Sequence, residues 1–292
     1  MAFDNSLLAT LSGAESACVR RLFEKGVSLP PQPRILQDLY AKLRNGVADI
    51  RVYARLLAQD PAIVAMLFKV VQSASFQRFQ PFGSIEHILQ AIGLQRAANL
   101  VRVVALSSAL PATHNRKAFE TFWSRSLVVS ELAMLIAEER VMVCNIFPDQ
   151  ALLAGAFHDC GVPVLMQRFP SYCQDMCLDE PGRWPDPDEE DRRFNADHCV
   201  VGYLVAKYWR LPEFICDAIR FHHDIKRLEN HAARTMVAIL LLAIHIYHLD
   251  SYLDDPEWNL ARPDVLDELG LSDDTLPELI DIVRERHASL SH

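Results

Sequence analysis

No long apolar run opens this sequence. The first residues, MAFDNSLLATLSGAE, lack the basic segment and extended hydrophobic stretch of a signal peptide. The most apolar segment, around Met236 to Tyr247, is too short for a bilayer and carries His245, so no membrane insertion is expected. Runs of lysine and arginine are missing as well. With 29 basic against 38 acidic residues the net charge is -9, which argues against a sequence-independent grip on nucleic-acid phosphates. A disulfide framework is also absent: the seven cysteines are odd in number and follow no paired spacing. A reducing, cytoplasmic setting is therefore expected. Cys173 and Cys177 stand four apart with no second pair, which reads as two thiols on a helix rather than a zinc site. Internal repeats, low-complexity tracts and an alternating strand pattern are missing too.

What the chain does have is a helical period of 3.6 almost throughout. Half of its 292 residues are hydrophobic and 23% are charged, an ordinary globular balance. Ile35, Leu36, Leu39, Tyr40 and Leu43 form one face after the start signal Pro30-Pro31-Gln32-Pro33. A helix is expected over about 49–58. Another begins at Pro61 behind Asp60 as N-cap and carries Ile63, Val64, Leu67 and Val70. Ser84 caps the next, and Gly93 ends it. Two long helices follow over about 95–108 and 119–139. The fold class is all-α, a multi-helix bundle.

Four segments are expected: an N-terminal helical extension (1–28), an N-terminal helical sub-domain (29–114), a second helical half (115–250) and a C-terminal extension (251–292). The break near Pro111 to Lys117 interrupts the periodicity. A proline- and acid-rich stretch from Asp179 to Glu190 reads as loop, ahead of a helix near Asp197. Further helices are expected over about 199–208, 213–222 and 232–249. A polar link through Asp254, Asp255 and Pro256 then leads to a last amphipathic helix near 276–286. No separate output domain is recognised.

Chemistry concentrates in the histidines. Phosphoester chemistry on a metal needs nitrogen and oxygen ligands converging from several helices. Adjacent residues on a helix diverge by about 100°, so His158 and Asp159 share an ion only at a helix end, which Gly161 and Pro163 supply. His198 stands at a helix start, and His222-His223 close another helix. Histidines embedded in apolar sequence are costly to bury unless they pair or ligate.

These residues carry a resemblance. Phe157-His158-Asp159, Asp197-His198-x3-Gly202, Trp209-x-Leu211-Pro212 and Ala218-Ile219-x2-His222-His223 resemble the HD superfamily of helical metal-dependent phosphohydrolases. Leu29-Pro30-x2-Pro33, Gln59-Asp60-Pro61-Ala62, Gln72-Ser73-Ala74 and Ala91-Ile92-Gly93-Leu94 narrow it to the HDOD domain, a branch related to the HD-GYP cyclic-di-GMP phosphodiesterases. The resemblance runs from about Leu29 to His223. It implies a metal-ligand set drawn from His158, Asp159, His198 and His222.

Departures from that pattern decide the expected function. The HD pattern begins with a histidine on the preceding helix, where this chain has Ser124 and Arg125. It closes with an aspartate on a later helix, where Leu242-Ala243-Ile244-His245 stands and Asp250 lies too far along. A guanidinium there repels a divalent cation and pairs with Asp159 instead. The reading is a vestigial site with no resident metal, a divalent transition metal being the alternative. The resemblance then implies a non-catalytic bacterial signalling or regulatory module that meets a protein partner or a nucleotide or phosphate ligand. Arg125 and Arg96 are the candidate phosphate contacts. The alternative is a metal-dependent phosphohydrolase with an altered ligand set. Two lesser readings are an aromatic docking surface at Phe76, Phe79 and Phe82, with packing of that loop onto the core as the equal alternative, and a thiol switch between Cys160 and Cys199.

Overall fold

The computed structural model describes residues 20–290 except 21, 72–81, 111–114, 179 and 181. Phe76 and Phe79 lie outside the described residues. Among the described residues there are fifteen α-helices from residue 34 onward, a helical segment at 22–24, one short 3-10 helix and no strand. The all-α expectation holds.

The N-terminal half comprises α1 (Arg34–Arg44), α2 (Ile50–Leu57), α3 (Pro61–Val71), α4 (Ile85–Ile92) and α5 (Leu94–Ala109). Their starts follow local chemistry. Asp60 Oδ1 accepts from the backbone N–H groups of Ala62 and Ile63, and Ser84 Oγ accepts from His87 N–H. Gly93 holds φ 83 between α4 and α5, a left-handed backbone that suits glycine.

The second half is built on α6 (Arg116–Cys144) and α13 (His231–Asp250), with α7 (Pro148–Phe157) packed along α6. Around them lie α8 (Gly161–Arg168), the short α9 (Tyr172–Asp175), α10 (Pro187–Phe194), α11 (His198–Tyr208) and α12 (Glu213–Phe221). The layer is completed by α14 (Pro256–Leu269) and α15 (Leu276–Leu290). Helix α7 buries residues on every face, Ala151 to Phe157 without a gap, which marks the centre of the core. By length and composition α13 alone, among the described residues, is long and apolar enough to cross a membrane, yet most of it is buried inside this fold.

The two halves lock together through the motifs quoted above. Trp209, fully buried, donates from Nε1 to Pro30 O at 2.9 Å, and Gln32 Nε2 donates back to Trp209 O at 2.9 Å. Arg102 Nη2 donates to Arg210 O at 3.1 Å from α5. A proline start and a tryptophan 179 positions apart thus satisfy each other's polar groups inside the core.

Two expectations need correcting. The stretch ending at Glu190 is not all loop: Asp186 caps α10 and Pro187 occupies its first turn, where a missing N–H costs nothing. The link at Asp254–Pro256 opens a 14-residue helix, α14, with Asp255 as N-cap and Pro256 in its first turn. Phe82 packs against the core, the second of the two readings for that loop.

Candidate functional site

Four helix ends converge on one carboxylate. His158 and Asp159 occupy the turn between α7 and α8, His198 is the first residue of α11, and His222 follows α12 directly. Arg125 reaches in from the middle of α6. All five side chains are buried. Close approach makes this assembly work. Gly161, at the start of α8, sits against the backbone of His198, where a Cβ would press on the carbonyl oxygen and lie 2.8 Å from its carbonyl carbon.

Asp159 divides its two oxygens. Oδ2 accepts from Arg125 Nη1 at 2.6 Å and from Trp184 Nε1 at 2.7 Å. Oδ1 faces His222 Nε2 at 3.1 Å and His198 Nε2 at 3.4 Å. Burial pushes the Asp159 carboxyl up, but His158, His222 and Arg125 outweigh it and hold the group well below its usual range. Trp184 also lays its ring 3.9 Å from the Arg125 guanidinium carbon and stacks on Phe122. The arginine is therefore held on both its polar edge and its face.

The histidines share one pattern. Nδ1 of His158 donates to Gly155 O at 2.7 Å, and Nδ1 of His222 donates to Ile219 O at 2.8 Å. Nδ1 of His198 donates to Glu190 Oε2 at 2.6 Å, and Nδ1 of His223 donates to Glu257 at 3.0 Å. Every imidazole is thus anchored at Nδ1 with Nε2 turned inward, the way metal-binding histidines are oriented by outer partners. His158 Nε2 lies 2.8 Å from Asp159 Oδ2 yet off the line a hydrogen bond needs, which leaves a buried nitrogen without a hydrogen-bond partner. His198 Nε2 and His223 Nε2 stand 3.1 Å apart, a spacing that needs a proton or a cation between two lone pairs. Burial and the neighbouring His223 push His222 down to about 3, against the raising pull of its hydrogen bond with Asp159. His198 moves the other way: burial lowers it, and the Cys199 sulfur and Glu190 carboxylate more than reverse that.

The donor set therefore fits a metal in one half and not the other. His198, Cys199, His222 and His223 each offer one ligand atom within 4.8 Å of the others. On the Asp159 Oδ2 side a guanidinium and an indole already fill the hydrogen-bonding positions.

The sequence-chosen residues fare unevenly. Arg125, His158, Asp159, His198 and His222 come together, and the expected pairing of Arg125 with Asp159 is present. Arg96 does not join them. It lies near Asp149, 3.5 Å away at the far end of α7, about 13 Å along the axis from His158. His245 donates to Asp255 and stacks on Trp258, and Asp250 pairs with Arg284, so neither closes the site. Cys160 Sγ donates to Gly202 O while Cys199 lies beside His198 and His222, and both are free. Burial raises both thiols, which makes them poor nucleophiles for a thiol switch. Trp184, Glu190 and Glu257 are not singled out by the sequence, and His223 stands there only as the second of a pair. Their signal was weak, because an acidic run and a proline-rich stretch read as solvated surface.

A cavity of about 210 Å³ opens beside the centre, lined by Lys117, Arg125, Arg183, Trp184, Tyr247 and His248 among others.

A helical bundle that gathers a His-Asp pair and two further histidines on one buried carboxylate defines an HD-type protein. The family model for the HDOD domain matches residues 29–225, about two thirds of the chain, and the chain belongs to the HDOD domain family. An HDOD domain protein of unknown function from Geobacter sulfurreducens is similar in structure, with a TM-score of 0.64, 27% identity and coverage of 94% of this chain and 97% of that one. A Shewanella amazonensis protein named by inference as a metal-dependent phosphohydrolase shares the fold, with a TM-score of 0.67 at 17% identity, covering 97% of this chain and 99% of that one. An uncharacterized protein of Treponema pallidum is 25% identical over 203 residues, 68% of this chain and 38% of that protein. The chain thus spans well under half the length of that relative.

Proposed function

We propose that the protein is a non-catalytic regulatory module of bacterial signalling, whose HD centre holds the helices together instead of hydrolysing a phosphoester. The observation that carries this reading is the double occupation of Asp159 Oδ2 by Arg125 and Trp184. A hydrolytic metal centre needs its carboxylate as a ligand and an open position for water. Here the carboxylate is neutralised by a buried cation at 2.6 Å, and a second ion beside that cation would meet direct repulsion. His158, Asp159, His198 and His222 then act as a polar network joining α7, α8, α11 and α12.

The output of such a module is contact with a protein partner or retention of a phosphate-bearing ligand without turnover. Lys117 and Arg183 on the cavity wall supply charge for a phosphate, with Arg125 already paired to Asp159 and with Glu180 on the same wall. At about 210 Å³ the cavity is smaller than the roughly 300–1,000 Å³ of a typical small-molecule pocket. It suits a phosphate group better than an enclosed cyclic dinucleotide, which favours protein contact as the main output.

One observation favours a second reading, a metal-dependent phosphohydrolase with an altered ligand set. It is the convergence of His198, Cys199, His222 and His223. The test is a phosphodiesterase assay on the chain supplied in turn with Mn²⁺, Fe²⁺ and Zn²⁺, using a generic diester and cyclic dinucleotides. No turnover above the metal-only blank is expected. Turnover that disappears in Asp159→Ala would overturn the proposal.

A further inference from the structure

We infer that the groove between α3, α5 and α6 binds a small neutral apolar molecule that carries one hydrogen-bond-accepting oxygen. The groove shares no lining residue with the cavity beside Arg125. It does not depend on whether the HD centre is catalytic.

Small side chains make the space. Helix α3 contributes Ala62 and Ala65, α5 contributes Val104, and α7 closes the floor with Ala156. The resulting volume of about 420 Å³ falls within the roughly 300–1,000 Å³ of small-molecule pockets, unlike the cavity of about 210 Å³ beside Arg125. On the rim Leu127 stays 41% exposed and Trp123 is half-buried, so apolar surface is left facing water.

Polar groups narrow the ligand class. Three serines line the groove. Ser107 Oγ donates to Val104 O at 2.9 Å and Ser130 Oγ donates to Leu127 O at 2.7 Å, so each is satisfied within its own helix. Ser126 is the exception. It is 2% exposed, and its buried hydroxyl has no hydrogen-bond partner among the described residues. A buried hydroxyl left unpaired is costly, and an oxygen on a ligand is the partner it lacks. A turn about χ1 between staggered positions aims it at the groove. Among the described residues Lys69 and Glu131 are the only charged groups on the wall, and they neutralise each other at 2.5 Å. His287 Nε2 meets the second Glu131 oxygen at 3.2 Å. No lone charge is left to recruit an ion, which selects a neutral ligand. Ser126 directly follows Arg125 on α6, and the two side chains leave the helix about 100° apart. A ligand in the groove therefore bears on the helix that carries Arg125.

The experiment titrates the full chain with Nile red, a neutral dye with one carbonyl oxygen whose emission moves to the blue in apolar surroundings. One saturable site per chain is expected, with blue-shifted emission. Ala65→Trp puts a ring into the groove from an exposed helix position. It should weaken binding at least ten-fold and leave the helical circular dichroism unchanged, with Ala62→Trp as the second variant if that chain misfolds. Ser126→Ala should weaken binding by about three- to ten-fold, the scale of one hydrogen bond, and move the bound dye's emission further to the blue. A serine with a merely structural role would not move that emission. Decanol and decanoate are then compared as competitors, and decanol should displace the dye at the lower concentration. Stronger displacement by decanoate would mean a charged ligand and overturn the inference. So would the absence of a saturable site, affinity unchanged in Ala65→Trp, or affinity and emission unchanged in Ser126→Ala. A dimer that Ala65→Trp breaks, with no dye uptake by the parent, would assign the groove to a second copy of the chain instead.

Discussion

Gly161 and His198 touch backbone to backbone, so closely that no side chain fits between them. This contact sets the separation of α8 from α11 and thereby the distance from Asp159 to the histidines of the later helices. Gly161→Ala forces the two helices apart. A cost at or above the roughly 1–3 kcal/mol of core overpacking is expected, because the clash is with backbone and not with a side chain that can swing away. Urea unfolding of the two proteins checks it. An alanine variant as stable as the parent would mean that the contact is not the spacer.

Arg125 gives the second expectation. Its side chain and that of Asp159 are 6% and 1% exposed, so Arg125→Ala leaves a carboxylate buried without its cation. A loss of about 3–5 kcal/mol follows. Adding Asp159→Asn to that variant should recover part of it, since the two residues act as a pair. A double variant whose cost equals the sum of the single ones would show that the pair is not coupled.

Trp184 separates donor from ring. Trp184→Phe removes the N–H that reaches Asp159 at 2.7 Å and keeps an aromatic face over Arg125. The expected cost is about 1.5–3 kcal/mol, the range for a hydrogen bond to a charged group. Trp184→Ala should cost distinctly more, because the stacking on Phe122 goes as well. Equal costs for the two would assign the whole effect to the N–H.

Acid sensitivity should appear at Asp255. Burial pushes this carboxyl up, but His245, His248 and the Trp258 N–H outweigh burial and hold it below its ordinary value. A depressed carboxylate lends stability above its unfolded value of about 3.9, and that stability drains away as pH falls towards the folded one. Asp255→Asn keeps an N-cap for α14 but carries no charge. The stability difference between parent and variant should be fully present above about pH 4 and shrink as pH falls below it. A difference independent of pH would show that the charge contributes nothing.

The helical class and the family landmarks were legible in the sequence because each rests on a local cue. Asp60 and Ser84 cap, Gly93 takes a positive φ, and α7 is apolar on all faces. The His-Asp pair and its arginine were legible because ionisable residues stood out against apolar neighbours. Helices α10 and α14 were not. Each begins with an Asp-Pro step that reads equally well as a turn, and α14 holds Pro263 in its interior, where proline ordinarily breaks a helix. Only tertiary packing of Trp258, Ala261, Val265 and Leu269 fixes that segment as helix. Glu190 and Glu257 were hidden for the same reason, since an acid's burial depends on a helix that the local pattern does not announce. Arg96 erred the other way: a cation near a family landmark lies at the wrong end of α7.

The distance along the chain from Arg125 to Glu257 bears on how the protein acquires its shape. The centre draws on residues spread over more than 130 positions, and contacts between such remote positions form slowly. As the chain is synthesised, Asp159 emerges soon after its arginine, but the carboxylate that steadies His223 follows almost a hundred residues later. The HD centre is therefore completed late in folding, and a chain stopped before α14 carries His223 without its anchor.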